Sequence, residues 1–249
     1  MISIKSEREL EFMRYAGHIN YLVHEEIRKN IKPGVTTDFL DKIAYDFITK
    51  HDCIPSQLGF EGYPKSICVS INDEIVHGIP SKRKIKDHDV VSIDLCVGYK
   101  GYHTDSARTY IVGTASKEIT DLVKNTEKTL YEGLSKIKSG VKIGDVSHAI
   151  EEYAHKCNLS VVEELVGHGV GTTIHEEPDI PNYGKEGTGV TLKEGMTIAV
   201  EPMLNLGSKE ICMLEDDDWT ILTNDGLPSA HFEHTVLVTK DGYEILTGE

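Results

Sequence analysis

The spacing of apolar residues predicts four amphipathic helices, because such residues recur every three to four positions in four stretches of the chain. The first helix is introduced by Ser6 and Glu9, which have the spacing of a capping box. Pro33 and Gly34 separate it from the second. The predicted helices run from 6 to about 29, from near 37 to 48, from about 119 to 135, and onward from 141.

Runs rich in β-branched residues predict strands between and after these helices. In the first half of the chain they are expected at 66–71, 75–79 and 90–112, the last of which folds back on itself as a hairpin. In the second half they are expected at 160–166, 190–192, 196–200, 219–223 and 231–239.

Two carboxylates face each other in the predicted hairpin. With Tyr99 and Lys100 as a two-residue turn, counting outward puts Asp94 directly opposite Asp105. Cross-strand partners share a face of the sheet, with Cβ atoms roughly 4.5–5.5 Å apart. Two ionised carboxylates at that distance repel each other, so they share a proton, face solvent or hold a cation. A bound cation is the interpretation that the rest of the chain favours.

The pattern of the first half returns in the second. Lys138-Ser139-Gly140-Val141 matches Lys32-Pro33-Gly34-Val35, and the helix after each break has apolar residues at the same offsets. Helix, break, helix and strands occurring twice predict an α+β fold of two similar halves, about 1–113 and 114–249. No linker divides the chain, so both halves are expected to form one domain with a site between them.

The composition is that of an ordinary globular protein. The chain has 249 residues, 39% of them hydrophobic and 27% charged, enough for one substantial core. Its net charge of −15 argues against DNA or a membrane surface as the main partner. The basic cluster at 82–86 is interpreted as a solvated loop, with a transient ribosome contact as the alternative.

The cysteines and the N-terminus predict a reduced, cytoplasmic protein. The five cysteines are scattered and form no C-x-x-C pair, which fits neither a disulfide framework nor a structural zinc site. No apolar leader opens the chain, and no apolar run reaches membrane-spanning length.

Further residues of metal-binding type lie outside the hairpin. A glycine-flanked histidine is commonly a turn residue, and a carboxylate at the end of a strand is commonly solvated. The candidate carboxylates nevertheless lie in or beside strands that otherwise have the apolar pattern of a core. Burying an ionised carboxylate there without a cation costs several kcal/mol for each group. Arg108, the nearby basic residue on those strands, could satisfy one of them. The candidates are His77, His168, His175, Glu201 and Glu233, beside Asp94 and Asp105.

Oxygen-rich ligation with one imidazole suits a pair of divalent ions such as Mn²⁺, Fe²⁺, Co²⁺ or Zn²⁺. Two such ions roughly 3.5–4 Å apart can share a water, lower its pKa and polarise a carbonyl. This chemistry is that of a hydrolase.

The order Asp, Asp, His, Glu, Glu resembles the metal set of the pita-bread metallopeptidases, and the surrounding motifs are similar to those of type I methionine aminopeptidases. The motifs span most of the chain from residue 54 onward. They are Gly62-Tyr63-Pro64-Lys65-Ser66, His77-Gly78-Ile79-Pro80, Ser92-Ile93-Asp94, His103-Thr104-Asp105, Gly167-His168-Gly169, His175-Glu176-Glu177-Pro178, Glu201-Pro202-Met203 and Phe232-Glu233-His234-Thr235.

The resemblance implies a monomeric enzyme that removes the initiator methionine from nascent proteins, by attack of a metal-bridging water or hydroxide on the first peptide bond. It implies that Asp94, Asp105 and Glu233 hold one ion, and that Asp105, His168, Glu201 and Glu233 hold the other. Glu201 would also be the general base on the shared water. His175 and His77 would donate hydrogen bonds to the scissile amide and its oxyanion. Asn72 and Ser229 match positions that bind a monovalent cation in some members.

The methionine pocket departs from the family pattern. Tyr63, Cys68 and Trp219 match it, but Ile174 stands where phenylalanine is common. Gln57 and Phe60 replace the common cysteine and tyrosine, and His231 replaces a common glutamine. Pocket width and polarity therefore stay open, as does the choice among Co, Fe, Mn and Zn.

Two other functions fit the same fold. An Xaa-Pro peptidase is one, although those enzymes carry a large extra N-terminal domain for which the residues before Asp94 leave no room. The other is a non-catalytic binding module that has lost its metals, and it is disfavoured because all five ligand positions are filled.

Overall fold

The computed structural model describes residues 2–249, and within them are four α-helices and fifteen strands. The helices are α1 (Glu7–Asn30), α2 (Thr37–Lys50), α3 (Lys117–Leu134) and α4 (Ile143–Lys156), with a short 3₁₀ helix at Phe60–Gly62. The strands are β1 (Ile54–Pro55), β2 (Cys68–Ile71), β3 (Glu74–Val76), β4 (Val90–Tyr99), β5 (Tyr102–Ile111), β6 (Ser160–Val161), β7 (Gly167–Gly169), β8 (Glu176–Ile180), β9 (Thr197–Val200), β10 (Met203–Asn205), β11 (Ile211–Met213), β12 (Ile221–Thr223), β13 (Ser229–His231), β14 (Glu233–Val238) and β15 (Tyr243–Ile245).

The four predicted helices are confirmed, because their signals are local. The Ser6 N–H donates to Glu9 Oε2 at 2.6 Å, which is half of the expected capping box at the start of α1. At the start of α2 the Phe39 N–H donates to Thr36 Oγ1 at 3.2 Å.

A nine-stranded antiparallel sheet forms the centre of the fold, in the order β1-β4-β5-β14-β9-β7-β8. Strand β2 also pairs with β4, and β15 also pairs with β14. Two three-stranded sheets, β13-β10-β6 and β11-β12-β3, complete the β structure among residues 2–249. Strand β14 joins the halves, since it pairs with β5 of the first half and with β9 of the second.

Several predicted strands are shorter than expected or broken. The run 231–239 divides at Phe232, and the two parts, β13 and β14, pair in different sheets. The run 75–79 ends at Val76 because His77 has a positive φ of 60°. The prediction of a strand at 190–192 is wrong, since only Thr191 forms an isolated bridge there, to Lys142. Short strands β1, β7, β8, β10, β11 and β15 were not predicted.

Each half has its own apolar core. One cluster draws on residues between Ala16 and Val112, where α1 and α2 cover the first half of the sheet. Another draws on residues between Leu130 and Val238, beneath α3 and α4. The two breaks also share a backbone geometry: Gly34 and Gly140 have φ of 91° and 93°, and their N–H groups donate to Ile85 O and Leu192 O. The division of the chain at residue 113 stays a prediction.

No helix in residues 2–249 combines the length and the apolar character that a membrane span requires.

Candidate metal centre

The turn of the β4–β5 hairpin differs from the prediction by one residue. Lys100 and Gly101 form it, with positive φ of 49° and 83° as the tightest hairpin turns require. The expectation that Asp94 lies directly opposite Asp105 is therefore wrong: Asp94 pairs with Ala107, and Cys96 pairs with Asp105. Because the register moves by two residues, both carboxylates keep the same face and are diagonal neighbours. The ligand atoms of Asp94, Cys96 and Asp105 lie within 4.8 Å of one another.

Strand pairing brings the other three predicted ligands to these carboxylates. Glu233 begins β14 opposite Ala107 of β5, and Glu201 follows the end of β9, the other neighbour of β14. His168 lies on β7, which pairs with β9. The side-chain ligand atoms of His168, Glu201 and Glu233 lie within 4.8 Å of one another.

His168 connects the two groups of ligands. Its Nε2 is 3.4 Å from Glu201 Oε1 and 4.0 Å from Asp105 Oδ2. Its Nδ1 lies 2.9 Å from the Gly169 carbonyl oxygen, so the Nδ1–H donates there and Nε2 is left free for a cation. Burial lowers the pKa of His168, which keeps the ring in the neutral form that binds metals.

The carboxylates are buried together, and no lysine or arginine among residues 2–249 forms an ion pair with them. Asp94, Asp105 and Glu233 are only 9%, 5% and 2% exposed. Burial, followed by repulsion from Asp105, raises the pKa of Asp94, Glu201 and Glu233 well above the ordinary range. The expectation that Arg108 could satisfy one of them is not met, because its guanidinium pairs with Glu25 at 3.2 Å.

Two oxygen atoms of this cluster show whether a metal ion would fit between the carboxylates. Asp105 Oδ1 and Glu233 Oε1 are buried and have no hydrogen-bond partner among residues 2–249. Both belong to residues predicted to bridge two ions. Buried oxygen atoms without hydrogen-bond partners, together with a neutral imidazole nitrogen, offer the electron pairs that a divalent cation requires. The residues therefore fit the implied metal.

Three supporting contacts were not predicted. The Cys96 thiol lies 2.8 Å from Asp105 Oδ2, and the Gln57 amide donates to Asp94 Oδ1 at 3.1 Å. The amide of the fully buried Asn182 donates to the main-chain oxygen of Glu201 at 3.1 Å. These contacts depend on tertiary packing between distant segments or on hairpin register, and no sequence motif signals them.

All five residues predicted to hold the substrate side chain line one cavity of about 210 Å³, together with the five ligands. The Tyr63 and Trp219 rings meet edge to face with centroids 5.1 Å apart, and Tyr63 is fixed by donating to Gly78 O at 3.0 Å. Phe60 meets His175 in the same way at 5.3 Å. The cavity also has apolar walls that were not predicted: Val76, Leu165, Val166 and Met203.

Each of the two predicted catalytic histidines packs against another ring. The His175 ring packs against His168 with a centroid distance of 4.2 Å. His77 packs against Trp219 at 6.3 Å, and burial together with His175 lowers the pKa of His77. Both side chains line the cavity.

Asn72 and Ser229 are joined by a backbone hydrogen bond, and neither residue lines the cavity. The Ser229 N–H donates to the Asn72 main-chain oxygen at 2.9 Å, and Ser229 Oγ donates to Leu204 O at 3.1 Å. Asn72 Oδ1 accepts from the Val90 N–H at 2.9 Å. Nothing in these contacts tests the monovalent cation, which stays a prediction.

His231 adds an unusual group beside the ligands. It is buried, both ring nitrogens lack hydrogen-bond partners among residues 2–249, and Nε2 lies 3.7 Å from Glu201 Oε2. Burial, with a smaller contribution from His77, lowers the pKa of His231 to about 3.

Comparison with known proteins identifies the family. The model of metallopeptidase family M24 matches residues 11–240. Methionine aminopeptidase 1 of Bacillus subtilis is 50% identical over 247 residues, which is 99% of each chain. The crystal structure of methionine aminopeptidase from Rickettsia prowazekii is 43% identical and has a TM-score of 0.98 over the full length of both chains. An Xaa-Pro dipeptidase from Bacillus anthracis is only 24% identical, with a TM-score of 0.76 over 62% of its chain, and therefore shares the fold alone.

These matches confirm the predicted resemblance and the pita-bread α+β fold. Because the family model covers most of the chain and full-length relatives exceed 40% identity, the chain belongs to metallopeptidase family M24, beside the methionine aminopeptidases.

Proposed function

We propose that this chain is a methionine aminopeptidase that removes the initiator methionine from nascent proteins with a pair of divalent ions. The observation that carries the proposal is one cavity lined by two kinds of residue. Apolar and aromatic side chains form part of its wall, and five converging metal-type ligands with two unpartnered buried oxygen atoms form another part. The names of full-length relatives point to the same substrate.

Asp94, Asp105 and Glu233 would hold one ion, and Asp105, His168, Glu201 and Glu233 the other. Bound there, the ions would supply Lewis acidity, which lowers the pKa of a shared water and polarises the scissile carbonyl. Asp105 and Glu233 would each contact both ions. Asp105 Oδ1 and Glu233 Oε1 have no hydrogen-bond partner among residues 2–249 that would compete with a cation.

The protein side chains would then move the protons and fix the peptide. Glu201 accepts the proton of the attacking water through its carboxylate, and Asn182 holds the Glu201 backbone in place. His77 and His175 donate hydrogen bonds to the scissile amide and to the charge that develops on its oxygen. The lowered pKa of His77 keeps it a neutral donor at physiological pH.

The methionine side chain would contact the apolar and aromatic walls of the cavity. A long, polarisable thioether is favoured by aromatic edges and soft walls. Tyr63, Cys68 and Trp219 supply them, with Phe60 and Ile174 on the side of His175.

Kinetics on three peptide classes separate this function from its alternatives. We expect hydrolysis of a Met-Ala peptide that is lost with a chelator and restored by Co²⁺ or Mn²⁺, and little hydrolysis of a Leu-Ala or a Gly-Pro peptide. Preference for the Gly-Pro peptide would indicate an Xaa-Pro peptidase. Peptide binding without turnover at any metal would indicate a binding module.

The number of ions is tested by titrating metal-free protein and counting sites by calorimetry and elemental analysis. Two divalent sites are expected, with the ion chosen from Co, Fe, Mn and Zn. Asp105→Asn should lose both, because it removes the charge that bridges them. An Asp105→Asn protein that keeps two ions and normal turnover would rule out the dinuclear centre.

The proposal extends to the partners of the protein. We propose a monomer that acts on nascent chains in the cytoplasm, with transient ribosome contact through the exposed basic cluster at 82–86. In that cluster Arg83 already pairs with Glu74, whereas Lys82 and Lys84 are exposed. Replacing both lysines by alanine should weaken co-sedimentation with ribosomes and leave peptide hydrolysis unchanged.

A further inference from the structure

The first residues of the chain make a buried ion pair with the loop of a catalytic histidine. Lys5 Nζ lies 2.9 Å from Glu176 Oε2, and the Lys5 side chain is only 2% exposed. The two residues are 171 positions apart. A buried ion pair adds little net stability compared with an apolar pair, so stability alone does not account for it.

Glu176 uses its second oxygen to hold the turn that precedes it. Oε1 accepts from the Thr172 N–H at 2.6 Å, from Thr172 Oγ1 at 3.0 Å and from the Thr173 N–H at 3.3 Å. Burial by itself raises the pKa of this carboxyl, but the contacts with Lys5 and Thr172 lower the pKa of Glu176 overall. Glu176 therefore stays ionised and can serve as the acceptor for all four donors.

Lys5 is itself fixed from two sides. Its backbone N–H donates to Gly195 O at 2.8 Å, which anchors the segment before α1 to the turn before β9. Its aliphatic stem lies against Gly171, where a Cβ would come within 2.4 Å of Lys5 Cε. The ammonium group is thus positioned by the fold.

The loop between β7 and β8 carries both Ile174, a wall of the cavity, and His175. None of the five predicted metal ligands lies in this loop. We propose that Lys5 is a positioning residue for His175, acting through Glu176 and the turn at Thr172 and Thr173. This inference rests on the catalytic role proposed above for His175.

The test is Lys5→Met, which keeps an unbranched side chain one atom shorter and removes its charge. The kcat for a Met-Ala peptide should fall about 10–100-fold, as expected when a transition-state donor is misplaced. The KM should change less than about twofold, and bound metal should be unchanged. Amide hydrogen exchange at Thr172 and Thr173 should become faster.

Glu176→Gln provides a second route that keeps an acceptor for the turn. It should reproduce the fall in kcat, and Lys5→Met combined with Glu176→Gln should be no slower than the slower single variant, since both break one linkage. The matched control is Lys209→Met, which breaks the surface pair of Lys209 with Glu163 and should leave kcat and exchange unchanged.

Wild-type kcat in stable Lys5→Met and Glu176→Gln proteins would overturn the inference. So would a loss of kcat that follows loss of metal, or additive effects in the double variant. The exchange measurement also separates this inference from the proposed function. If the wild-type protein failed to hydrolyse Met peptides, unchanged exchange in Lys5→Met would still refute the linkage, and faster exchange would still establish it.

Discussion

The Cys96 thiol donates a hydrogen bond to Asp105 Oδ2 across the β4–β5 hairpin, at a sulfur–oxygen distance of 2.8 Å. The contact exists because the hairpin turns at Lys100 and Gly101, which makes these two residues direct cross-strand partners. Asp105 is the carboxylate predicted to bridge both ions, so its orientation determines the geometry of the whole centre.

Removing this thiol should weaken metal binding. In Cys96→Ala the affinity for Mn²⁺ should fall about 10–100-fold, as is usual when a residue that orients a metal ligand is lost. Cys96→Ser keeps a donor and should stay close to wild type. Calorimetric titration of metal-free protein measures both, with Cys157→Ala as a control distant from the site. Equal affinities in the alanine and serine variants would contradict an orienting role for the thiol.

Replacing Glu201 by glutamine should lower kcat by about 10²–10⁴-fold, because the amide keeps the size of the side chain but cannot accept a proton. Metal content must be measured on the same sample, since Glu201 is also a predicted ligand near His168. Glu163→Gln, on the surface, is the control. Turnover near the wild-type value across neutral pH would show that another group is the base.

Ile174→Phe should sharpen the preference for methionine. Ile174 is buried in the cavity wall and has no aromatic face for the thioether, so the wild-type pocket should reject norleucine and leucine less strongly than the variant does. An apolar change of this size is worth about 1–3 kcal/mol, or roughly 10–200-fold in discrimination. The measurement is kcat/KM for Met, norleucine and Leu peptides. Unchanged ratios would mean that residue 174 does not contact the substrate, and Leu227→Phe on the exposed surface controls for the added ring.

His24 should make the fold sensitive to mild acid. It is fully buried, with Nε2 3.0 Å from Ser106 Oγ, and burial with the nearby Arg108 holds the pKa of His24 well below 6.5. The unfolded chain therefore binds a proton that the folded chain does not, so stability is retained above pH 6.5 and lost as the pH falls below it.

The loss from His24 alone should be about 1 kcal/mol between pH 6.5 and 5.5. Urea unfolding of metal-free wild type and His24→Gln across this range gives the two slopes. Glutamine can reach the Nε2 position but does not titrate, so its slope should be shallower by that amount. Parallel slopes would mean that His24 is not protonated on unfolding in this range.

The sequence predicts the parts of this fold whose signals are local. The start of α1 follows from Ser6 and Glu9, which are neighbours in the helix. The proposed ligand set rests on motifs around His168, Glu201 and Glu233, and the structure brings these three side chains together. The register of the hairpin was not predicted correctly. The sequence permits a turn at Tyr99–Lys100 or at Lys100–Gly101, and the positive φ of both Lys100 and Gly101 shows that the second turn forms.

Contacts between segments that are distant in the sequence could not be predicted from local patterns. The sequence suggests that Arg108 pairs with a site carboxylate, but in the structure it forms an ion pair with Glu25 of α1. Short strands such as β7 and β10 are too brief to have a readable alternation and exist through their partners. The same holds for Lys5 and Glu176, whose pairing no motif indicates.

Strand β14 joins the halves and itself carries the proposed ligand Glu233, while the other proposed ligands lie on either side of it: Asp94 and Asp105 in the first half, and His168 and Glu201 in the second. Ions bound there would hold the two halves of the fold together. Since a ligand that binds only the folded state stabilises it by RT ln(1 + [L]/Kd), the lifetime of the protein would depend on the supply of metal around it. Under metal starvation that stabilisation would be lost, and this protein should become an early substrate for proteolysis.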